Sequence, residues 1–179
     1  MKIVLIGIQG SGKSTQGNLL SEKLNVPYLS TGHIFREIAK EHTPIGRYIK
    51  ETMNAGYLIP DDKTLEIVNE YLGRPEYKKG YILDGFPRTR TQAEQFRNGI
   101  DRVIYINVPD DQALHRLSIR NDGREDHTER ALKKRIELFH KFTEPVIEYY
   151  RDHGKFSEVD GNRSIDAIRD EICELLGIR

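Results

Sequence analysis

The residues best placed for chemistry form one short run near the start of the chain. Gly7, Gly10 and Gly12 are followed by Lys13 and Ser14, which completes the pattern G-x-x-x-x-G-K-[ST]. Four apolar residues, Ile3 to Ile6, precede it, and Leu19, Leu20 and Leu24 follow at helical spacing. The order buried strand, glycine-rich loop, helix turns the pattern into a phosphate-binding loop. Its backbone N–H groups turn inward on an anion, and the helix adds its positive N-terminal end. In this reading Gly10, Ser11, Gly12, Lys13, Ser14 and Thr15 hold the phosphates of a nucleoside triphosphate. Lys13 reaches the β- and γ-phosphates and Ser14 ligates Mg²⁺.

A second acid and a set of arginines extend this chemistry. Asp84 closes the apolar run Tyr81-Ile82-Leu83, where a carboxylate has few structural reasons to stand, so it is expected to hold Mg²⁺ through a water. Arg36, Arg88, Arg116, Arg120, Arg124 and Arg135 fall near strand ends or around the polar stretch Asn121–Asp126. Planar, bidentate donors of this kind stabilise the charge that spreads over phosphoryl oxygens during transfer. One triphosphate needs two or three cations, so six point to a second phosphorylated substrate. None of the histidines pairs recognisably with an acid or a nucleophile. That favours a phosphate acceptor, which is already anionic and needs no general base.

The elements that must position these groups alternate, strand and helix, from end to end. Such a pattern implies a parallel sheet with helices on both faces and ligands beyond the carboxyl ends of the strands. Asp61 and Asp110 are expected to cap helices, and Pro145 to kink or divide a long helix from about Glu129 to His153. The chain has 179 residues, enough for one substantial core, and its 28 basic and 28 acidic side chains cancel. Nothing in that balance suggests nucleic acid or a membrane surface as a partner, and no obligate protein partner is evident. The single cysteine, Cys173, excludes an internal disulfide and a multi-cysteine zinc site. With no long apolar run and with a strand at the N-terminus, a cytoplasmic location is expected.

These motifs together resemble the adenylate kinases, within the nucleoside monophosphate kinases. The resemblance runs through Gly7–Thr15, Leu29–Gly32 with Arg36, Gly56–Asp61, Asp84–Arg88 with Gln92, Arg116, Arg120, Arg124, Asp126, Arg135, Phe142–Ile147 and Val159–Gly161. It implies a P-loop NTPase-type, three-layer α/β/α fold with a five-stranded parallel sheet. It also implies a single domain carrying a helical monophosphate-binding flap, about residues 31–59, and a minimal lid, about residues 120–135. The implied reaction is ATP + AMP ⇌ 2 ADP with Mg²⁺. Carried over by position, Lys13, Arg88, Arg120, Arg124 and Arg135 are catalytic. Arg116, Arg120 and Arg163 join the loop at ATP. AMP is met by Thr31, Arg36, Tyr57, Leu58, Ile59, Gly85, Phe86, Pro87, Arg88, Gln92, Arg124 and Arg135.

Thr31 and Gln92 resemble the adenine-reading choices of the family, which favours AMP over UMP or CMP. Left open are a UMP/CMP acceptor, a GTP donor, and a nucleotide-binding regulator with weak turnover. His33, His127 and Arg163 depart from the residues usual at those positions. Only three residues separate Arg120 from Arg124, which leaves no room for the inserted sheet of long-lid members and no cysteines for their zinc.

Overall fold

The computed structural model describes residues 1–119 and 128–178. Five parallel strands form one sheet: β1 (Lys2–Ile6), β2 (Tyr28–Ser30), β3 (Tyr81–Asp84), β4 (Arg102–Asn107) and β5 (Phe156–Asp160), in the order β2-β3-β1-β4-β5. β1 is central, and its residues Ile3 to Ile6 are all buried. The two-residue side-chain repeat of a strand divides them between two cores. Ile3 and Leu5 face α1 (Lys13–Leu24) and α9 (Ile165–Leu176), through Leu20, Ile168, Ile172 and the buried Cys173. Val4 and Ile6 face the larger core on the other side. Its helices are α2 (Thr31–Lys40), α3 (Pro44–Asn54), α4 (Asp61–Leu72), α5 (Arg90–Gln95), α6 (Asp110–Ser118), α7 (Glu129–Leu138) and α8 (Glu144–Asp152). The expected three-layer α/β/α arrangement with a five-stranded parallel sheet is thus present.

Short polar side chains set where most of these helices begin. Ser30, Thr43, Thr89, Thr128 and Ser164 each accept a backbone N–H from the first turn of α2, α3, α5, α7 and α9. Each such cap is worth about 1 kcal/mol. α4 and α6 differ from expectation. Pro60 and Pro109 occupy the cap positions, and Asp61 and Asp110 are the first helical residues, where an acid still meets the helix dipole. α6 ends at Ser118, short of Arg120.

The expected long helix after Thr128 is interrupted before Pro145, not at it. α7 gives way to a π-helical turn, Phe139–Thr143, and Pro145 sits in the first turn of α8, where its missing N–H costs nothing. The π turn carries His140 between two acids: Nε2 lies 2.9 Å from Asp110 Oδ2 and Nδ1 lies 2.6 Å from Glu144 Oε1. These hydrogen bonds raise the imidazole above its ordinary value of 6.5. A raised folded-state value means the stabilisation is fully present below the unfolded value and is lost as pH rises through the folded one. His140→Gln should therefore lower the melting temperature at about pH 5.5 and do so progressively less towards about pH 9. A constant difference across that range in thermal unfolding would exclude this ion-pair staple.

Candidate active site

The carboxyl ends of β1 and β3 open into a cavity of about 770 Å³. The loop after β1 forms its floor. Gly10 and Gly12 adopt left-handed backbone (φ 91° and 95°), which only glycine takes up readily. A Cβ on Gly10 would also lie 2.6 Å from the Ala113 carbonyl oxygen, so α6 packs directly against the loop. No side chain caps α1 at Gly12, which leaves the first N–H groups of that helix for an anion.

Lys13 bends over this loop and donates to the carbonyls of Gly7 (2.7 Å) and Ile8 (2.9 Å). Burial lowers its ammonium from 10.5 to about 8; Asp84 opposes that shift and Arg88 adds to it. Asp84, buried at the end of β3, accepts from Ser14 Oγ (3.2 Å) and Tyr28 OH (2.6 Å) through the same oxygen, Oδ2. Burial and the carboxylate hold the Tyr28 phenol well above its ordinary range, so it stays a donor. Ser14 and Asp84 thus present two hard oxygen ligands side by side, which suits Mg²⁺.

Opposite the loop stands the Asp84–Arg88 turn, with a cis Phe86–Pro87 peptide. Gly85 has φ 84°, and a Cβ there would come within 2.6 Å of Thr31 Oγ1. Thr31 itself donates to the Asp84 carbonyl (3.3 Å). Arg88 is braced from three sides. Its Nε donates to Gly85 O (2.8 Å), its backbone N–H to Gln92 Oε1 (2.7 Å), and its carbonyl accepts from Thr143 Oγ1 (2.9 Å) on the π turn. Burial, then the positive charges of Arg135 and Arg36, lower its guanidinium from the ordinary arginine value, while Asp84 raises it. Three guanidinium groups from α2, the β3 turn and α7 therefore converge on one space. Arg135 spans the cavity, with Nη1 on Gln9 Oε1 (3.0 Å) and Nη2 on Met53 O (2.9 Å).

Of the other expected residues, Gly10 to Thr15, Arg36, Tyr57, Leu58, Ile59, Phe86, Pro87, Gln92, Arg116 and Arg163 also line the cavity. Arg116 on α6 donates to Gly161 O (2.9 Å), which ties that helix to the β5–α9 loop. Arg163 is drawn into an ion pair with Glu171 of α9. Arg120 and Arg124 lie outside the described residues. Sequence reasoning missed Gln9, Tyr28, Asp61 and Thr143. Gln9, Asp61 and Thr143 fall within stretches that carry the resemblance, but the sequence assigns a role only to Asp61, as a helix cap. Its Oδ1 instead accepts from Gln92 Nε2 (2.8 Å) and Thr89 Oγ1 (2.9 Å).

A family model described as adenylate kinase matches residues 5–155. The chain belongs to the adenylate kinase family. Among curated relatives, the adenylate kinase of Clostridium botulinum (strain Loch Maree) is 38% identical over 213 aligned positions, covering 99% of each chain. That of Clostridium beijerinckii is 37% identical over 213 positions at the same coverage, and that of Caldicellulosiruptor bescii 36% over 214. Family membership makes the chain a nucleotide-dependent phosphotransferase, a nucleoside monophosphate kinase of the adenylate kinase type. A 213-position alignment against 179 residues leaves at least 34 positions (213 less 179) without a counterpart in this chain. No helix among the described residues is long and apolar enough to cross a membrane.

Proposed function

We propose that this kinase catalyses ATP + AMP ⇌ 2 ADP with Mg²⁺ in adenine-nucleotide homeostasis, with the donor on the β1 loop and the acceptor against the β3 turn. The observation that carries the assignment is the convergence of Arg36, Arg88 and Arg135 on the space facing Lys13. Gly10–Thr15 hold the triphosphate, with Arg116 and Arg163 towards its base. Thr31, Arg36, the Tyr57–Ile59 backbone, Gly85–Arg88 and Gln92 hold the monophosphate. Ser14 and Asp84 would hold Mg²⁺, which when bound would offset the negative charge of the triphosphate. Lys13 and the arginines then fix the transferring phosphoryl group in line with the acceptor oxygen and stabilise its equatorial oxygens.

The protein's task is positioning, since an AMP phosphate needs no proton removed. The division into a core, a flap of about residues 31–59 and a lid of about residues 120–135 belongs to the same proposal. So do the lid roles of Arg120 and Arg124, which rest on the sequence resemblance. A cytoplasmic location fits these substrates.

The deciding experiment is a coupled assay of AMP, CMP, UMP and GMP as acceptors, with ATP and GTP as donors. AMP with ATP should give the highest kcat/KM. Fastest turnover with CMP or UMP would overturn the acceptor assignment, and no turnover with any pair would leave only a nucleotide-binding regulator.

A further inference from the structure

The acceptor's base is read by an amide, and an amide has two faces. Adenine presents a 6-amino donor beside the N1 acceptor, whereas a 6-oxopurine presents an acceptor beside an N1–H donor. For a base held in one pose, turning the glutamine amide over exchanges the two partners it accepts, by the same pairing logic that lets glutamine recognise adenine in DNA. Orientation of the amide therefore decides between the two purine classes.

In this structure the orientation of Gln92 is set from behind. The side chain is buried, with 2% of its surface exposed, yet it lines the cavity. One N–H of Nε2 goes to Asp61 Oδ1 at 2.8 Å, and one lone pair of Oε1 takes the Arg88 backbone N–H at 2.7 Å. Each end keeps one further valence. Reversal would set the amide oxygen against the Asp61 carboxylate and the NH₂ group against the Arg88 N–H, two like-with-like contacts in a buried place. The Arg88 N–H is backbone and part of a braced turn. Asp61 is the side chain that completes the lock, and Thr89 holds it there. The Thr89 hydroxyl donates to the same Oδ1 at 2.9 Å while accepting the Gln92 backbone N–H at 3.2 Å.

We propose that Asp61 is a positioning residue for acceptor specificity: by fixing the Gln92 amide it selects 6-amino over 6-oxo purine monophosphates. The inference rests on the reading that Gln92 faces the acceptor base. It gives Asp61 a role distinct from starting α4, since Pro60 already occupies the cap position.

The test compares kcat/KM for AMP and IMP, with Mg·ATP as donor, in the parent enzyme and in Asp61→Ala, Asp61→Asn and Gln92→Leu, alongside thermal unfolding. The ratio is an internal control, because a merely structural lesion lowers both acceptors alike. Asp61→Ala should lower the AMP-to-IMP ratio at least ~10-fold, through a higher KM for AMP and a gain with IMP. Asp61→Asn should lower it less, since its side chain offers both a donor and an acceptor to either face of Gln92. If the alanine variant fails to fold, the isosteric asparagine variant decides. A ratio within about 2-fold of the parent in the Asp61 variants, or an equal loss on both acceptors, overturns the proposal. Gln92→Leu separates the two levels. Collapse of the ratio there with no change in the Asp61 variants refutes the lock alone. No change in Gln92→Leu refutes the base-reading role of Gln92 and the lock with it.

Discussion

Arg88→Lys is expected to lower turnover at least ~10²-fold, a loss of about 2.7 kcal/mol of transition-state stabilisation. Charge is conserved in this exchange, so the loss measures geometry. The Arg88 Nε is spent on the Gly85 carbonyl at 2.8 Å, and the side chain lines the cavity, so its two terminal nitrogens are the fork left for phosphoryl oxygens. A lysine has one ammonium on a flexible stem and cannot hold both that carbonyl and two phosphoryl oxygens. The braces on the backbone, Gln92 below and Thr143 above, do not depend on the side chain and should survive. Thermal unfolding close to that of the parent, with kcat reduced, is therefore the expected pair of results. Near-normal turnover would show that Arg88 does not clamp the transferring group.

The second large effect is expected at Asp84→Asn: at least a ~10²-fold drop in turnover, with a higher Mg²⁺ concentration needed for what remains. The shape is kept, and the Ser14 and Tyr28 hydroxyls retain an oxygen to donate to. The charge is lost. Its loss has a consequence that can be read separately, through Lys13. Burial lowers that ammonium to about 8, with the Asp84 carboxylate opposing the shift. In the parent, kcat/KM for ATP should fall as pH rises through about 8, because the free enzyme then loses the Lys13 cation. Removing the carboxylate removes the influence that raises Lys13, so the basic limb should move to lower pH in Asp84→Asn. A limb that stays in place or moves upward would mean that Asp84 does not act on Lys13.

Much of this site could be read from residue types because its chemistry uses backbone and short spacings. The β1 loop is legible since glycines at 7, 10 and 12 followed by Lys13-Ser14 have few other uses after a buried strand. Asp84 stood out because an acid at the end of Tyr81-Ile82-Leu83 violates the pattern of a buried strand. The residues that escaped are those whose partners lie far away in sequence. Tyr28 reads as an ordinary strand residue until β2 is set beside β3 in register, Ser30 against Asp84. Gln9 occupies an unspecified position of the loop motif, and its partner Arg135 is 126 residues away. Asp61 carries a helix-start signal so plausible that it hid the bond to Gln92, and Pro60, one residue earlier, takes the cap position instead. The break in the long helix was expected from Pro145, but the π turn precedes it. That turn is what brings Thr143 to the Arg88 carbonyl.

The short chain sharpens one part of the proposal. At least 34 aligned positions of the C. botulinum relative have no counterpart among these 179 residues. Only three residues lie between Arg120 and Arg124, and we propose that the missing positions belong to the lid.

On that proposal, groups fixed in the core rather than in a lid would couple the two nucleotides. The Arg135 guanidinium donates both to Gln9 Oε1 on the β1 loop and to the Met53 carbonyl at the end of α3. A phosphate on either side that draws on this guanidinium alters what the other side finds. Thermodynamic linkage then requires the debt to be symmetrical: whatever factor ATP imposes on the dissociation constant of AMP, AMP imposes on that of ATP.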